Sequence, residues 1–128
     1  MRLHEFEATD IFEASGISVP RRGVAETAEE GLHVAGQIGY PVIAKAQVLV
    51  GGRGLAGGIK SASNQEELEE IADTLLGSEI KGLPVQKILV TEKAEISKEL
   101  YVGITVDGYS GRSYVVASAE GGVDTVEM

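Results

Sequence analysis

The feature that most constrains this sequence is a glycine-rich loop that follows a short apolar run containing one lysine. Residues 42–60 read VIAKAQVLVGGRGLAGGIK, with Lys45 in the apolar run and Arg53 as the only charge of the loop. Glycine lacks a Cβ and tolerates positive φ, so such a loop can present several backbone N–H groups to one ligand. Successive N–H groups of this kind form a concave anion site. With Lys45, Arg53 and a further lysine, Lys60, beside the loop, the segment favours phosphate binding over an ordinary mobile loop.

Three familiar phosphate-loop patterns do not fit the segment. Residues 52–57 match the dinucleotide fingerprint G-x-G-x-x-G, but that loop must open a helix, whereas residues 59–62 are extended in character. The P-loop pattern G-x-x-x-x-G-K-[ST] is absent. Protein kinases lay a strand–glycine loop–strand unit over ATP, but their loop precedes the lysine, whereas Lys45 comes before this loop.

Composition narrows the classes of partner. The 128 residues suffice for one domain or part of one, and the net charge of −9 argues against a nucleic-acid ligand. No apolar run approaches the ~20 residues that a membrane span needs, and the first ten residues are too polar for a signal peptide. The sequence has no cysteine, which excludes disulfides and thiolate chemistry. We therefore expect no nucleic-acid partner and no membrane partner.

Hydrophobic periodicity predicts a mixed α/β fold. We predict a helix over residues 4–15, a second that begins after a capping box at Thr27 and ends at Gly39, and a third from Asn64 to Gly77. The predicted strands cover residues 22–25, 42–50, 59–62, 85–90, 99–107 and 112–118. We expect a polar connection over residues 78–83 and irregular chain over residues 91–98.

Five stretches, in order, identify a family. They are LHE at residues 3–5, KAQV at 45–48, the glycine loop and its lysine at 51–60, ISKELY at 96–101 and ASAEGG at 117–122. In this order and spacing they resemble the N-terminal part of the β subunits of ADP-forming succinate–CoA ligases, which are ATP-grasp proteins. The resemblance extends over essentially the whole chain.

The resemblance implies an α/β ATP-grasp fold: an N-terminal lid subdomain and the start of a second subdomain. Residues 1–128 would form a partial ATP-grasp domain. The lid subdomain would cover about residues 21–95, and residues 1–20 and 96–128 would belong to the larger subdomain.

The resemblance also implies a set of ATP-binding residues, each placed at one part of the nucleotide. They are Lys45 at the phosphates, Gly52, Arg53 and Gly54 in the lid above them, Thr91 or its neighbour Glu92 and then Ala94 at the adenine hinge, and Glu99 at the ribose. No catalytic residue and no metal ligand is expected in this chain, because the family's phosphohistidine lies on a partner subunit and its Mg²⁺ ligands lie further along. Neither His4 nor His33 is expected to take the phosphohistidine's role.

The implied reaction couples ATP or GTP to the formation or cleavage of succinyl-CoA, with Mg²⁺ in the full-length enzyme. The implied partners are nucleotide, CoA, succinate and an α subunit, in a heterodimer or an α2β2 assembly. We expect a cytoplasmic location, or the mitochondrial matrix in a eukaryote. Two alternatives stay open: the same part of a malate–CoA ligase or a citrate-activating enzyme, and a non-catalytic nucleotide-binding or assembly module. The chain alone is expected to be inactive.

Overall fold

The computed structural model describes residues 2–121. Residues 122–128, which the predicted larger subdomain includes, lie outside that range. The described chain forms two compact units, one ending at Ala94 and the other starting at Glu95. In chain order the elements are α1 (Glu5–Ala14), β1 (Arg22–Ala25), α2 (Ala28–Ile38), β2 (Val42–Ala46), β3 (Ile59–Ala62), α3 (Gln65–Leu76), β4 (Glu79–Ile80), β5 (Leu83–Pro84), β6 (Ile88–Glu92), β7 (Tyr101–Val106) and β8 (Ser113–Ser118). The predicted α/β class is confirmed, whereas the predicted subdomain boundaries stay a prediction.

A four-stranded antiparallel sheet in the order β1-β6-β2-β3 forms the centre of the first unit. Side chains alternate between the two faces of a strand, and paired antiparallel residues project to the same face. Ala44 pairs with Val90 and Ala46 with Ile88, and all four are fully buried in one core with residues of α2 and α3. The two helices therefore cover this face of the sheet.

The second and third helices begin at the predicted caps. The Thr27 hydroxyl accepts the Glu30 N–H at 3.1 Å, and Asn64 Oδ1 accepts the Glu67 N–H at 2.9 Å. Each cap satisfies an N–H group that has no partner within its helix. The Glu30 carboxylate returns to the N–H of Glu26, at 2.8 Å, rather than to that of the cap residue. The capping signal is thus confirmed, with the reciprocal bond displaced by one residue.

Two of the predicted strands have the wrong bounds. The strand expected over residues 42–50 stops at Ala46, because its partner β3 pairs only from Ile59 onward and the next N–H, that of Gln47, donates to Lys87. The strand expected over residues 85–90 runs instead from Ile88 to Glu92. Thr91 and Glu92, expected in irregular chain, therefore belong to the sheet.

The polar connection expected over residues 78–83 contains short strands. β4 and β5 pair as a two-residue ladder joined by Lys81 and Gly82, which have φ values of 51° and 81°. Two successive residues with positive φ are the geometry of a tight hairpin turn. Sequence periodicity cannot detect strands of two residues, and the lysine at a positive-φ position conceals the turn.

The second unit contains the predicted hairpin of β7 and β8. Val102, Ile104 and Val106 alternate along β7 as expected, but each is more than 60% exposed. A two-stranded ribbon has no second layer against which to bury them. No helix within residues 2–121 has the length and apolar character that a membrane crossing requires.

Two glycines of the first unit should respond oppositely to alanine. A Cβ at Gly23 would lie 2.8 Å from a methyl group of Val34, whose β-branched side chain turns with difficulty, whereas a Cβ at Gly36 meets nothing within 4 Å. Gly36→Ala should raise the free energy of unfolding by about 0.5–1 kcal/mol, because glycine is a poor residue inside a helix. Gly23→Ala should lower it. Urea unfolding monitored by circular dichroism measures both, and Val34→Ala in the Gly23→Ala background should restore part of the loss. Equal stability of the two single variants would contradict the packing described here.

Candidate functional site

The two cations singled out in the sequence meet at one carboxylate. Lys45 Nζ lies 3.0 Å from Glu5 Oε2, and Arg53 Nη2 lies 2.7 Å from Glu5 Oε1. The side chains of Lys45, Arg53 and Glu5 are 23%, 18% and 28% exposed, so water reaches the cluster without filling it. This is a compact cationic site with one internal counter-ion.

The strand and the loop place the two cations on the sheet face that α2 and α3 leave open. Lys45 alternates with the buried Ala44 and Ala46, so its side chain projects to the opposite face. Arg53 returns from the loop, and its Nη1 donates to the Ala46 carbonyl at 2.8 Å. The end of β2 thus holds both cations.

Gln47 seats helix α1 against this strand end. The side-chain oxygen of Gln47 accepts the Phe6 N–H at 3.0 Å, and its amide nitrogen donates to the Lys45 carbonyl at 3.2 Å. Phe6 lies in the first turn of α1, where N–H groups have no partner within the helix. Gln47 is only 4% exposed, so the contact satisfies a buried amide as well as the helix end. It brings the carboxylate of Glu5 to the two cations.

The neighbouring positive charges affect the pKa of Glu5 more than its burial does. Burial raises the pKa of Glu5, but the charge of Lys45 and the hydrogen bond and charge of Arg53 lower it further, and the net result is a pKa below the ordinary value. Glu5 is therefore a carboxylate at neutral pH. Since it lies in the first turn of α1, the helix dipole also favours its negative charge.

The glycine loop presents free backbone donors beside the cations. Among residues 2–121, the N–H groups of Gly52, Arg53, Gly54 and Leu55 donate no hydrogen bond; Gly52 is buried and Arg53 half-buried, whereas Gly54 and Leu55 are exposed. The loop is closed instead from its far side, where the Gly58 N–H donates to the Arg53 carbonyl at 2.7 Å. Gly52 has a φ of 69°, a conformation that glycine adopts without strain. Such consecutive free donors suit an anion with several oxygens.

Lys60 does not join this cluster. It pairs with Ala44 in the ladder between β2 and β3, and it therefore projects to the face that the helices cover. There it lines an open pocket with Gly57 of the loop and Glu70 of α3. Lys60 thus lies beside the loop, as expected, but on the opposite face of the sheet from Lys45, because side chains alternate along a strand.

The predicted hinge residues lie on or after β6. Thr91 is 2% exposed and pairs with Ile43 of β2, so β6 runs directly beside the strand that carries Lys45. The carboxylate of Glu92 accepts the Arg21 N–H at 2.9 Å and lies 3.2 Å from Arg21 Nε, and these contacts lower its pKa. Ala94 is the last residue of the first unit.

Glu99 belongs to the second unit, where its carbonyl accepts the Gly121 N–H at 3.0 Å. The structure therefore brings Lys45, Gly52, Arg53 and Gly54 together, and the ribose role of Glu99 stays a prediction. Within residues 2–121 no group of three or more histidine, aspartate or glutamate side chains could hold a metal ion.

Sequence reasoning missed Glu5 as a site residue. It entered only as part of the LHE stretch, because a glutamate 40 and 48 residues from its two partners carries no local signal. The sequence predicted that Glu5 lies at the start of a helix, but it did not indicate which residues that helix end contacts.

The family described as ATP-grasp domain matches residues 2–128. The chain belongs to the ATP-grasp family.

Curated relatives carry this ATP-grasp sequence at the N-terminal end of longer chains. The chain is 50% identical over 128 residues to the β subunit of succinate–CoA ligase [ADP-forming] from Herpetosiphon aurantiacus, and 47% identical to that from Haloarcula marismortui. Each alignment covers 100% of this chain and 34% of the relative. The chain thus spans about a third of the length of these relatives.

Two solved structures share the fold of this chain. PH1788 from Pyrococcus horikoshii matches with a TM-score of 0.80 at 25% identity, over 98% of this chain and 55% of that one. A dinucleotide-forming acetyl-coenzyme A synthetase 1 from Ca. Korarchaeum cryptofilum matches with a TM-score of 0.77 at 26% identity, over 91% and 52% of the two chains. That protein was solved with coenzyme A and Ca-AMPCP.

The ionised form of Glu5 should make stability depend on pH. A carboxyl group whose pKa is lower in the folded state contributes stability that is full above its unfolded pKa and is lost as the pH falls through the folded pKa. At neutral pH, Glu5→Gln should therefore lower the free energy of unfolding by about 1 kcal/mol. The difference from wild type should shrink in acid, because protonated Glu5 resembles glutamine. Urea unfolding at a series of pH values measures this, and a difference that persists unchanged in acid would contradict the ionic role.

Proposed function

We propose that this chain is the nucleotide-phosphate-binding part of the β subunit of an ADP-forming succinate–CoA ligase. One observation carries the proposal. Lys45 and Arg53 converge beside the free N–H groups of the glycine loop, in a chain that matches such β subunits along its whole length. Because the chain spans 34% of those relatives, the activity belongs to a longer protein of which this part binds the nucleotide.

The geometry suits the phosphate end of ATP. Phosphoryl transfer needs mainly positioning and the neutralisation of charge on phosphate oxygens. Lys45 supplies a compact positive charge, Arg53 supplies a planar fork of donors, and residues 52–55 supply backbone N–H groups. All three kinds of donor can bind phosphate oxygens through hydrogen bonds, and none of them has to give up its proton to do so.

The remaining nucleotide contacts follow the family resemblance. We assign Thr91 or its neighbour Glu92, together with Ala94, to the adenine hinge and Glu99 to the ribose hydroxyl groups. ATP is the nucleotide we assign, because the relatives are ADP-forming enzymes. Following the family resemblance, we place the Mg²⁺ ligands in the part of the relatives that this chain does not span.

The complete protein would pair with an α subunit that carries the phosphohistidine, and would use CoA and succinate in a step of the tricarboxylic acid cycle. The word "beta" in the relatives' names supports the α partner. We propose a cytoplasmic location. We propose succinate as the acid because the relatives at 46–50% identity are named succinate–CoA ligases.

Nucleotide binding by the 128-residue chain tests the proposal directly. Only one side of the nucleotide is held here, so we expect a dissociation constant of about 1 mM for ATP with Mg²⁺, which corresponds to roughly −4 kcal/mol. Lys45→Ala should weaken binding about tenfold because it removes charge from the phosphate site. Lys60→Ala removes the same charge from the other face of the sheet and serves as the matched control. Chemical-shift titration followed by NMR measures all three proteins, and equal losses in the two variants would contradict the assignment of the site.

The chain alone should not catalyse the ligation. The resemblance places the phosphohistidine on the proposed α partner and the Mg²⁺ ligands in the part of the relatives that this chain does not span. Release of ADP should therefore not depend on succinate and CoA when the pure chain is assayed with a coupled enzyme. Succinate- and CoA-dependent release at the rate of a complete ligase would show that the whole site lies within these residues.

A further inference from the structure

One carboxylate bridges two cations at the proposed phosphate site. The two oxygens of Glu5 are divided between Lys45 Nζ at 3.0 Å and Arg53 Nη2 at 2.7 Å. Two positive charges brought together repel each other. A negative charge placed between them makes the total electrostatic energy of the three groups favourable. Without Glu5, both long side chains would gain the freedom to move apart.

The bridge leaves both cations able to bind a ligand. A lysine ammonium has three donors and an arginine guanidinium has five. The recorded contacts use one donor of Lys45, for Glu5, and two of Arg53, for Glu5 and the Ala46 carbonyl. Donors on each cation therefore remain for phosphate oxygens while Glu5 stays in place.

Glu5 itself is held by a helix that is anchored on the same strand end. Gln47 bonds the first turn of α1, and Lys87 Nζ lies 5.5 Å from the centre of the Phe6 ring, which His4 stacks against at 5.6 Å. A carboxylate on an anchored helix is a fixed reference point, whereas Arg53 lies on a glycine loop. In protein kinases, likewise, a glutamate on a helix holds the strand lysine that contacts ATP phosphates.

We infer that Glu5 is a positioning residue that holds Lys45 and Arg53 together for the β- and γ-phosphates of the nucleotide. The inference rests on the proposed function and goes beyond it, because it assigns a role to a residue of the first helix. Glu5 touches the two cations and not the nucleotide. It sets the affinity for the triphosphate and leaves the affinity for the nucleoside part unchanged.

The opposite role makes the opposite prediction. If the Glu5 carboxylate occupied the place of a phosphate group, ATP would have to displace it, and removing its charge would strengthen ATP binding. A positioning role predicts weaker ATP binding, although the substitution makes the site more positive. The sign of the change therefore separates the two roles.

The experiment compares Glu5→Gln with Glu7→Gln in the 128-residue chain. Both variants remove one negative charge from the first turn of α1, but Glu7 contacts the His4 backbone and ring rather than the cations. ATP and AMP are titrated with Mg²⁺ by NMR, and thermal midpoints are recorded. We expect Glu5→Gln to weaken ATP binding about fivefold, or about 1 kcal/mol, with AMP binding unchanged. Glu7→Gln should leave the ratio of ATP to AMP affinity at the wild-type value.

The loss of two ion pairs is expected to lower the thermal midpoint in either case. A merely structural role for Glu5 would in addition weaken ATP and AMP binding alike, which would overturn the inference. Unchanged or stronger ATP binding in Glu5→Gln would overturn it too, while the proposed function would stand if wild type binds ATP. Failure of the wild-type chain to bind ATP would overturn the proposed function and this inference together.

A second variant covers the case in which Glu5→Gln does not fold. Glu5→Asp keeps the charge but shortens the side chain by one methylene, so its carboxylate cannot reach both cations as Glu5 does. We expect weaker ATP binding and unchanged AMP binding. Wild-type ATP affinity in Glu5→Asp would show that the reach of the carboxylate is irrelevant and would overturn the inference.

Discussion

The alternation of side chains along β2 is the constraint on which the rest of the structure depends. Ala44 and Ala46 are fully buried under the helices, so Lys45 between them must project to the other face. One five-residue strand therefore serves the core with its small side chains and the site with its charged one. A shift of one residue in register would bury the ammonium group and expose the alanines.

The helix-covered face and the open face carry different kinds of interaction. Under α2 and α3 the contacts are apolar and close-packed, with Leu68 and Ala72 fully buried. On the open face the contacts are ionic and directional, and they join α1 to the strand end through Gln47 and Glu5. The first kind supplies stability through area removed from water, and the second holds particular atoms at particular distances.

The glycine loop depends on the ionic cluster of Glu5, Lys45 and Arg53 for its position. Its free N–H groups are weak individually, and glycines leave it without side chains that could pack. Arg53 ties the loop to the end of β2 through the Ala46 carbonyl, and Glu5 holds the same guanidinium from the other side. These two contacts hold the one charge of the loop near Lys45.

Local sequence was sufficient for the features that depend on near neighbours. The caps at Thr27 and Asn64, the strand over residues 22–25 and the return strand over residues 59–62 all follow from spacings of a few residues. The motifs between residues 3 and 122 were likewise sufficient for the family. Only the tertiary structure decided that Glu5 joins Lys45 and Arg53, and that Lys60 does not. Those outcomes depend on which face of the sheet each strand position presents and on where the first helix comes to rest. The place of Glu5 is set by contacts with residues 40 and 48 positions away, and the place of Lys60 by the register of β3 on β2, and no local pattern encodes either.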